Sequence, residues 1–112
     1  MQSQYVVYLQ SSRAKGKKYT VVVFRAGQKL KTIHFGSANM SDYTINKDPE
    51  RMSRYISRHK ARENWDISGI LTAGFWSRWL LWSEPSLSAA IDRIAQKFNI
   101  KIYQAPPPAG KI

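Results

Sequence analysis

Three short runs of β-branched and aromatic residues near the start of the chain constrain its fold more than any other feature. Tyr5-Val6-Val7-Tyr8-Leu9, Tyr19-Thr20-Val21-Val22-Val23-Phe24 and Leu30-Lys31-Thr32-Ile33-His34-Phe35 are each of strand length. Such side chains suit a pleated surface. A polar, glycine-containing connection from Ser11 to Lys18 joins the first two, and Ala26-Gly27-Gln28 predicts a turn before the third. Sequential strands with short connections make an antiparallel meander. In the third, Leu30, Thr32 and His34 are predicted on one face, with Lys31, Ile33 and Phe35 on the other.

Beyond the strands the pattern changes to helical. Gly36 to Lys47 reads as irregular. Asp48 is a good N-cap, Pro49 suits the first helical position and Glu50 complements the helix dipole. Met52, Tyr55, Ile56 and His59 then fall at i, i+3, i+4 and i+7, which predicts one buried stripe. Arg51, Arg54 and Arg58 occupy another face as a basic ridge about 10 Å long. Asp66 to Gly69 reads as a loop. Thr72 is placed to cap a helix through Trp82 that is apolar on nearly every side. A last helix is expected from about Ser86 to Phe98, with Leu87, Ile91, Ile94 and Phe98 inward and Asn99 as its C-terminal cap. Ile100 to Tyr103 is a candidate edge strand.

These elements define an α+β domain: a small antiparallel sheet of three or four strands, covered on one face by two or three helices. A chain of 112 residues has room for one modest core. The expected division is a single domain over 1–104 and a proline-rich extended arm over 105–112, where Pro106, Pro107 and Pro108 resist helix and sheet. The hydrophobic share of 43% and four tryptophans argue against disorder. There is no run of about 18 apolar residues to span a membrane. The first residues lack the pattern of a signal peptide. With no cysteine, disulfides and thiolate chemistry are excluded.

The charge points to a partner. Lys and Arg number 18 against 7 Asp and Glu, a formal net charge of +11. Twelve of the basic and three of the acidic residues lie in residues 1–60. Such asymmetry favours a polyanion, nucleic acid above all. The candidate polyanion-binding residues are Arg13, Lys15, Lys17 and Lys18 in the first connection, and Lys29 and Lys31 near the sheet turn. Arg51, Arg54 and Arg58 on the helix, followed by Lys60 and Arg62, complete the set. Converging on one side, they would offer six to ten phosphate contacts and steep salt dependence. The alternative is a solvated helix face.

Catalysis finds little support. His34 and His59, the only histidines, sit in a strand and in an apolar stripe, outside any metal-ligand spacing. No phosphate loop or nucleophile elbow is present. Asp42, Asp48 and Glu50 cluster loosely, and capping explains the last two. The chain is therefore expected not to be an enzyme, with no cofactor, metal or small-molecule substrate. The tryptophans of the Phe75–Trp82 stretch read as core, with Trp82 the one to reach a surface. Arg78 in their midst needs a carbonyl or carboxylate partner, or a neighbouring chain.

One resemblance extends this reading. His34-Phe35-Gly36, Ser41-Asp42-Tyr43-Thr44, Lys47-Asp48, Arg58-His59, Trp65, Thr72-Ala73-Gly74, Ser77-Arg78-Trp79 and Leu81-Trp82 recur as a linked set. Over about residues 19–98 the chain resembles a family of small, basic, uncharacterised proteins of large DNA viruses of algae and protists, and of some phages. Asn39-Met40 stands where that family often has glycine before Ser-Asp, and Asn46 where a histidine precedes Lys-Asp. The resemblance implies a viral structural protein, a minor capsid or internal virion component docking through its basic face and terminal arms. Other capsid or virion proteins would be its partners, and Arg78, Trp82, Pro106, Pro107 and Pro108 its partner interface. The alternative is a non-sequence-specific nucleic-acid binder that condenses or escorts viral DNA. The location implied is the virion; without the resemblance it is intracellular, cytoplasm or nucleus.

Overall fold

The computed structural model describes residues 4–108. Strands β1 (Tyr5–Ser11), β2 (Lys17–Arg25) and β3 (Gln28–Ser37) form the expected antiparallel meander. Between β2 and β3 the turn is two residues, Ala26 at φ 53° and Gly27 at φ 78°. Positive φ at both positions is what a tight turn needs to follow the twist of its strands. Between Val23 and Phe24 the β2–β3 register shifts, so Val23 faces Lys31 while Phe24 faces Lys29. Leu30, lying between those partners, is 42% exposed.

The fourth strand, β4 (Lys101–Tyr103), joins the free edge of β1 in parallel, giving the order β3-β2-β1-β4. The sheet is therefore mixed. The reason is topological: the last helix carries the chain back along the sheet, so β4 enters from the same end as β1.

Between β3 and β4 lie α1 (Tyr43–Asn46), α2 (Pro49–His59), a 3-10 turn (Ile67–Gly69), α3 (Ala73–Trp76) continuing as a π turn (Ser77–Leu81), and α4 (Leu87–Phe98). The stretch expected to be irregular thus contains α1, whose first turn Asp42 caps by accepting from Thr44 N at 2.9 Å. The other caps follow the sequence: Asp48 accepts from Glu50 N, Thr72 from Phe75 N and Ser86 from Ala89 N. Asn99 closes α4 in the left-handed conformation.

One face of the sheet contributes Val7, Leu9, Val21, Val23, Ile33 and Phe35 to the core, where they meet Phe75, Trp76, Leu80, Leu81, Ala90 and Ile94. The opposite face is also apolar at its centre. Val22 and Phe24 are buried there, Tyr8 meets Phe24 edge to face, and Tyr8 stacks on Tyr103. This explains why β2 is apolar without alternation: as a central strand it is covered on both sides. No helix among the described residues is long and apolar enough to cross a membrane.

Of the stripe predicted on α2, only Tyr55 is fully buried; Met52, Ile56 and His59 are half-buried. The helix stands off from the sheet, and α1 is the element its backbone approaches most extensively. A cleft opens in the space so left.

Candidate nucleic-acid interface

Tyr55 holds α2 in place. Its ring stacks on His59 at 4.3 Å, on Trp82 at 4.8 Å and, farther off, on Trp65 at 6.3 Å. Aromatic pairs at such spacings add stabilisation beyond their buried area. Burial raises the Tyr55 phenol well above its usual range, with nearby Glu63 acting in the same direction and Arg78 and Arg58 opposing it. The phenol is neutral at any ordinary pH.

The resulting cleft measures about 600 Å³. Arg51, Arg54, Arg58 and His59 line it from α2, and Lys17 and Lys18 from the start of β2. Gly36 and Ser37 of β3, Met40 to Asp42, and Gly74, Ser77, Leu81 and Trp82 complete it. Two glycines in its lining let neighbouring side chains pack closely. Gly36 sits at φ +77°, and a Cβ there would lie 2.8 Å from Leu81 Cδ1. A Cβ on Gly74 would lie 2.7 Å from Glu63 Oε1. Both contacts are closer than carbon packing permits.

The charges in the cleft differ in how far they are already engaged. Lys18 is committed: its ammonium pairs with Asp42, a carboxylate 2% exposed that also accepts from Thr44 N and Oγ1. That pair ties the loop before α1 to β2. His59 Nδ1 lies 3.6 Å from Glu63 Oε2, and the same carboxylate accepts from Trp65 Nε1 at 3.3 Å. Arg54 has a distant partner, Glu50 at 4.0 Å, and the Glu50 side chain is 88% exposed. Exposed pairs of that kind contribute little. Among the described residues, Lys17, Arg51 and Arg58 have no acidic partner within ion-pair distance. Four cations are thus available on one cleft.

The other predicted residues are placed elsewhere. Lys15 lies in the β1–β2 loop, outside the cleft lining, while Arg13 lines a separate groove on the far face of the sheet. Lys29 and Lys31 lie at the opposite end of β3, and Lys31 donates to Leu71 O at 3.1 Å. Lys60 and Arg62 follow α2 outside the cleft lining, with Arg62 donating back to Arg58 O. The cleft lining gathers five of the eleven predicted cations, Lys17, Lys18, Arg51, Arg54 and Arg58.

Arg78 is engaged within the chain through one end of its guanidinium. Its guanidinium donates to Trp82 O and lies over Trp79 at 4.5 Å and Trp65 at 5.5 Å. Its Nε is buried without a partner among the described residues. Burial lowers the Arg78 pKa, with Arg93 adding to that effect and Tyr55 and Glu84 opposing it. Pro106 and Pro107 line a groove of about 360 Å³ with Gln10, Thr20, Val22, Thr32 and His34, so they lie along the far face of the chain's own sheet. Pro108 is exposed. Residues 109–112 of the expected arm lie outside the described residues, as do residues 1–3.

His34 is likewise engaged, its Nδ1 2.7 Å from Thr20 Oγ1, which donates to Ser12 Oγ at 2.8 Å. Among the described residues no group of three or more His, Cys, Asp or Glu side chains is arranged to hold a metal ion.

Sequence reasoning placed Trp82 at a surface, as a partner-interface residue, but not in this cleft, and gave Gly36 and Gly74 no part in a site. Gly36 fell at the start of the stretch read as irregular, and Gly74 inside a helix pattern, where an isolated glycine signals a packing or functional reason.

A family model described as a family of unknown function (DUF5754) matches residues 7–59, somewhat less than half of the chain. The matched part runs from β1 to the end of α2. It carries every cationic side chain of the cleft, but not Gly74, Ser77 or Trp82. No curated protein and no solved structure matches the chain.

Proposed function

We propose that the protein is a binding module that docks on nucleic acid through the cleft between α2 and the sheet. The observation that carries this reading is the set of four available cations, Lys17, Arg51, Arg54 and Arg58, on one concave surface. A cation with no internal carboxylate, or only a distant exposed one as at Arg54, is free to neutralise a phosphate. Binding is proposed in preference to catalysis because both histidines are engaged in internal contacts, His34 with Thr20 and His59 with Tyr55 and Glu63.

A particle component that docks on protein neighbours is less favoured by the same geometry. That role would use Arg78 and the proline arm, yet Arg78 is engaged with its own chain and Pro106 and Pro107 lie on its own sheet. In the viral setting that the resemblance implies, the module would escort or condense viral DNA.

The test is a binding titration with nucleic acid of arbitrary sequence over a range of salt. Four phosphates neutralised correspond to a slope of log K on log salt of about −3 to −4, or roughly a hundredfold loss for a fourfold rise in salt. A slope near zero would rule the reading out.

A further inference from the structure

The cleft is more than a basic surface. Lys17, Arg54 and Arg58 are exposed on its rim and Arg51 is half-buried, whereas Phe35, Tyr55 and Leu81 in the same lining are buried. Trp82, half-buried, belongs to both levels.

Trp82 also differs from the other three indoles. Trp76 Nε1 donates to Ile70 O at 2.7 Å, Trp79 Nε1 to Trp65 O at 2.8 Å and Trp65 Nε1 to Glu63. Among the described residues Trp82 Nε1 has no such acceptor, and Tyr55 is the one ring in contact with Trp82. An aromatic donor left unused beside a basic rim is matched to a flat, polar-edged ring carried on a phosphate chain.

We infer that the cleft takes a single strand of nucleic acid, one base lodging against Trp82 while the flanking phosphates lie on Arg54, Arg58 and Lys17. This rests on the proposed nucleic-acid reading and narrows it. In a duplex each base is stacked and paired, and it reaches a recess only by being flipped out at an energetic cost. An unpaired strand presents its bases freely. A base on an aromatic platform is sequence-tolerant, because every base has a π face.

The experiment compares three probes by fluorescence anisotropy: a short oligothymidylate, a sugar-phosphate strand of the same length without bases, and a blunt duplex. The base-bearing strand should bind about tenfold or more tightly than the abasic one, the scale of one stacked base. Trp82→Ala should erase that difference and leave the salt slope unchanged. Since Trp82 also supports Tyr55, a second variant guards against loss of structure. Ala73→Phe adds bulk at an exposed position of the cleft lining with no change of charge, and should have the same effect. Equal binding of the strands with and without bases, at an undiminished salt slope, would overturn the inference and leave the basic cleft standing. Absence of salt-dependent binding to all three probes would overturn both.

Discussion

Tyr55 joins the fold to the proposed site, so Tyr55→Ala has two consequences that are measured separately. The side chain is 7% exposed and is the only fully buried residue of α2. Deleting a buried aromatic ring costs about 3–5 kcal/mol. For a domain of this size each kcal/mol lowers the melting temperature by roughly 4 °C or more, so a fall of about 12–20 °C is expected if unfolding is concerted. The structure implies a further feature. The core of sheet, Trp76, Leu80 and Ile94 does not pass through Tyr55. Loss of the ring should therefore release α2 locally before the sheet melts. Hydrogen exchange should then show the α2 amides unprotected in Tyr55→Ala at temperatures where those of β2 remain protected, and salt-dependent nucleic-acid binding should fall with them. Tyr55→Phe keeps the ring and loses a hydroxyl with no hydrogen bond among the described residues, so it should change stability by less than about 1 kcal/mol. The reasoning is refuted if α2 and β2 lose protection together in Tyr55→Ala, or if α2 stays protected as in wild type.

Other perturbations test separate links. Gly69→Ala would place a Cβ 2.1 Å from Asn64 O, against fixed backbone, so chemical denaturation should show a larger loss than for Gly36→Ala, whose closest neighbour is the flexible end of Leu81. Ala26 holds φ 53° in the β2–β3 turn, a conformation that asparagine tolerates better, and Ala26→Asn should raise the unfolding free energy by roughly 0.5–1 kcal/mol. In alkali, the raised pKa of Tyr55 makes the folded state hold a proton that the unfolded chain gives up from about pH 10. Stability should thus be intact below that pH and fall as pH rises above it, less steeply in Tyr55→Phe, as followed by thermal melts across the range.

Much of the fold was legible because its signals are local. Asp48-Pro49, Thr72, Ser86 and Asn99 each act within a few residues, and each bounds its helix where expected. Strand faces follow from alternation, and Ile33 and Phe35 are inside while His34 is outside. The direction of β4 was not legible, since parallel pairing with β1 depends on where α4 delivers the chain. The short helix α1 was missed because it depends on Asp42, whose position is set by Lys18 far away in sequence. For the site, the arginine ridge was visible as a spacing, but its role as one wall was not. That wall exists because α2 is anchored through Tyr55 and stands away from the sheet. The partial burial of Met52 and Ile56 is the trace this leaves, and no periodicity records it.

The central claim is that the location of the positive charge governs binding, and not its amount. It is tested most directly by comparing two charge reversals of equal size. Arg51, Arg54 and Arg58 changed to Glu reverse the cleft wall, whereas Lys29, Lys60 and Lys101 changed to Glu reverse exposed positions outside it. With nucleic acid at two salt concentrations, the first variant should lose its salt-dependent binding and the second should keep most of the wild-type slope. Equal losses in the two variants would contradict the account.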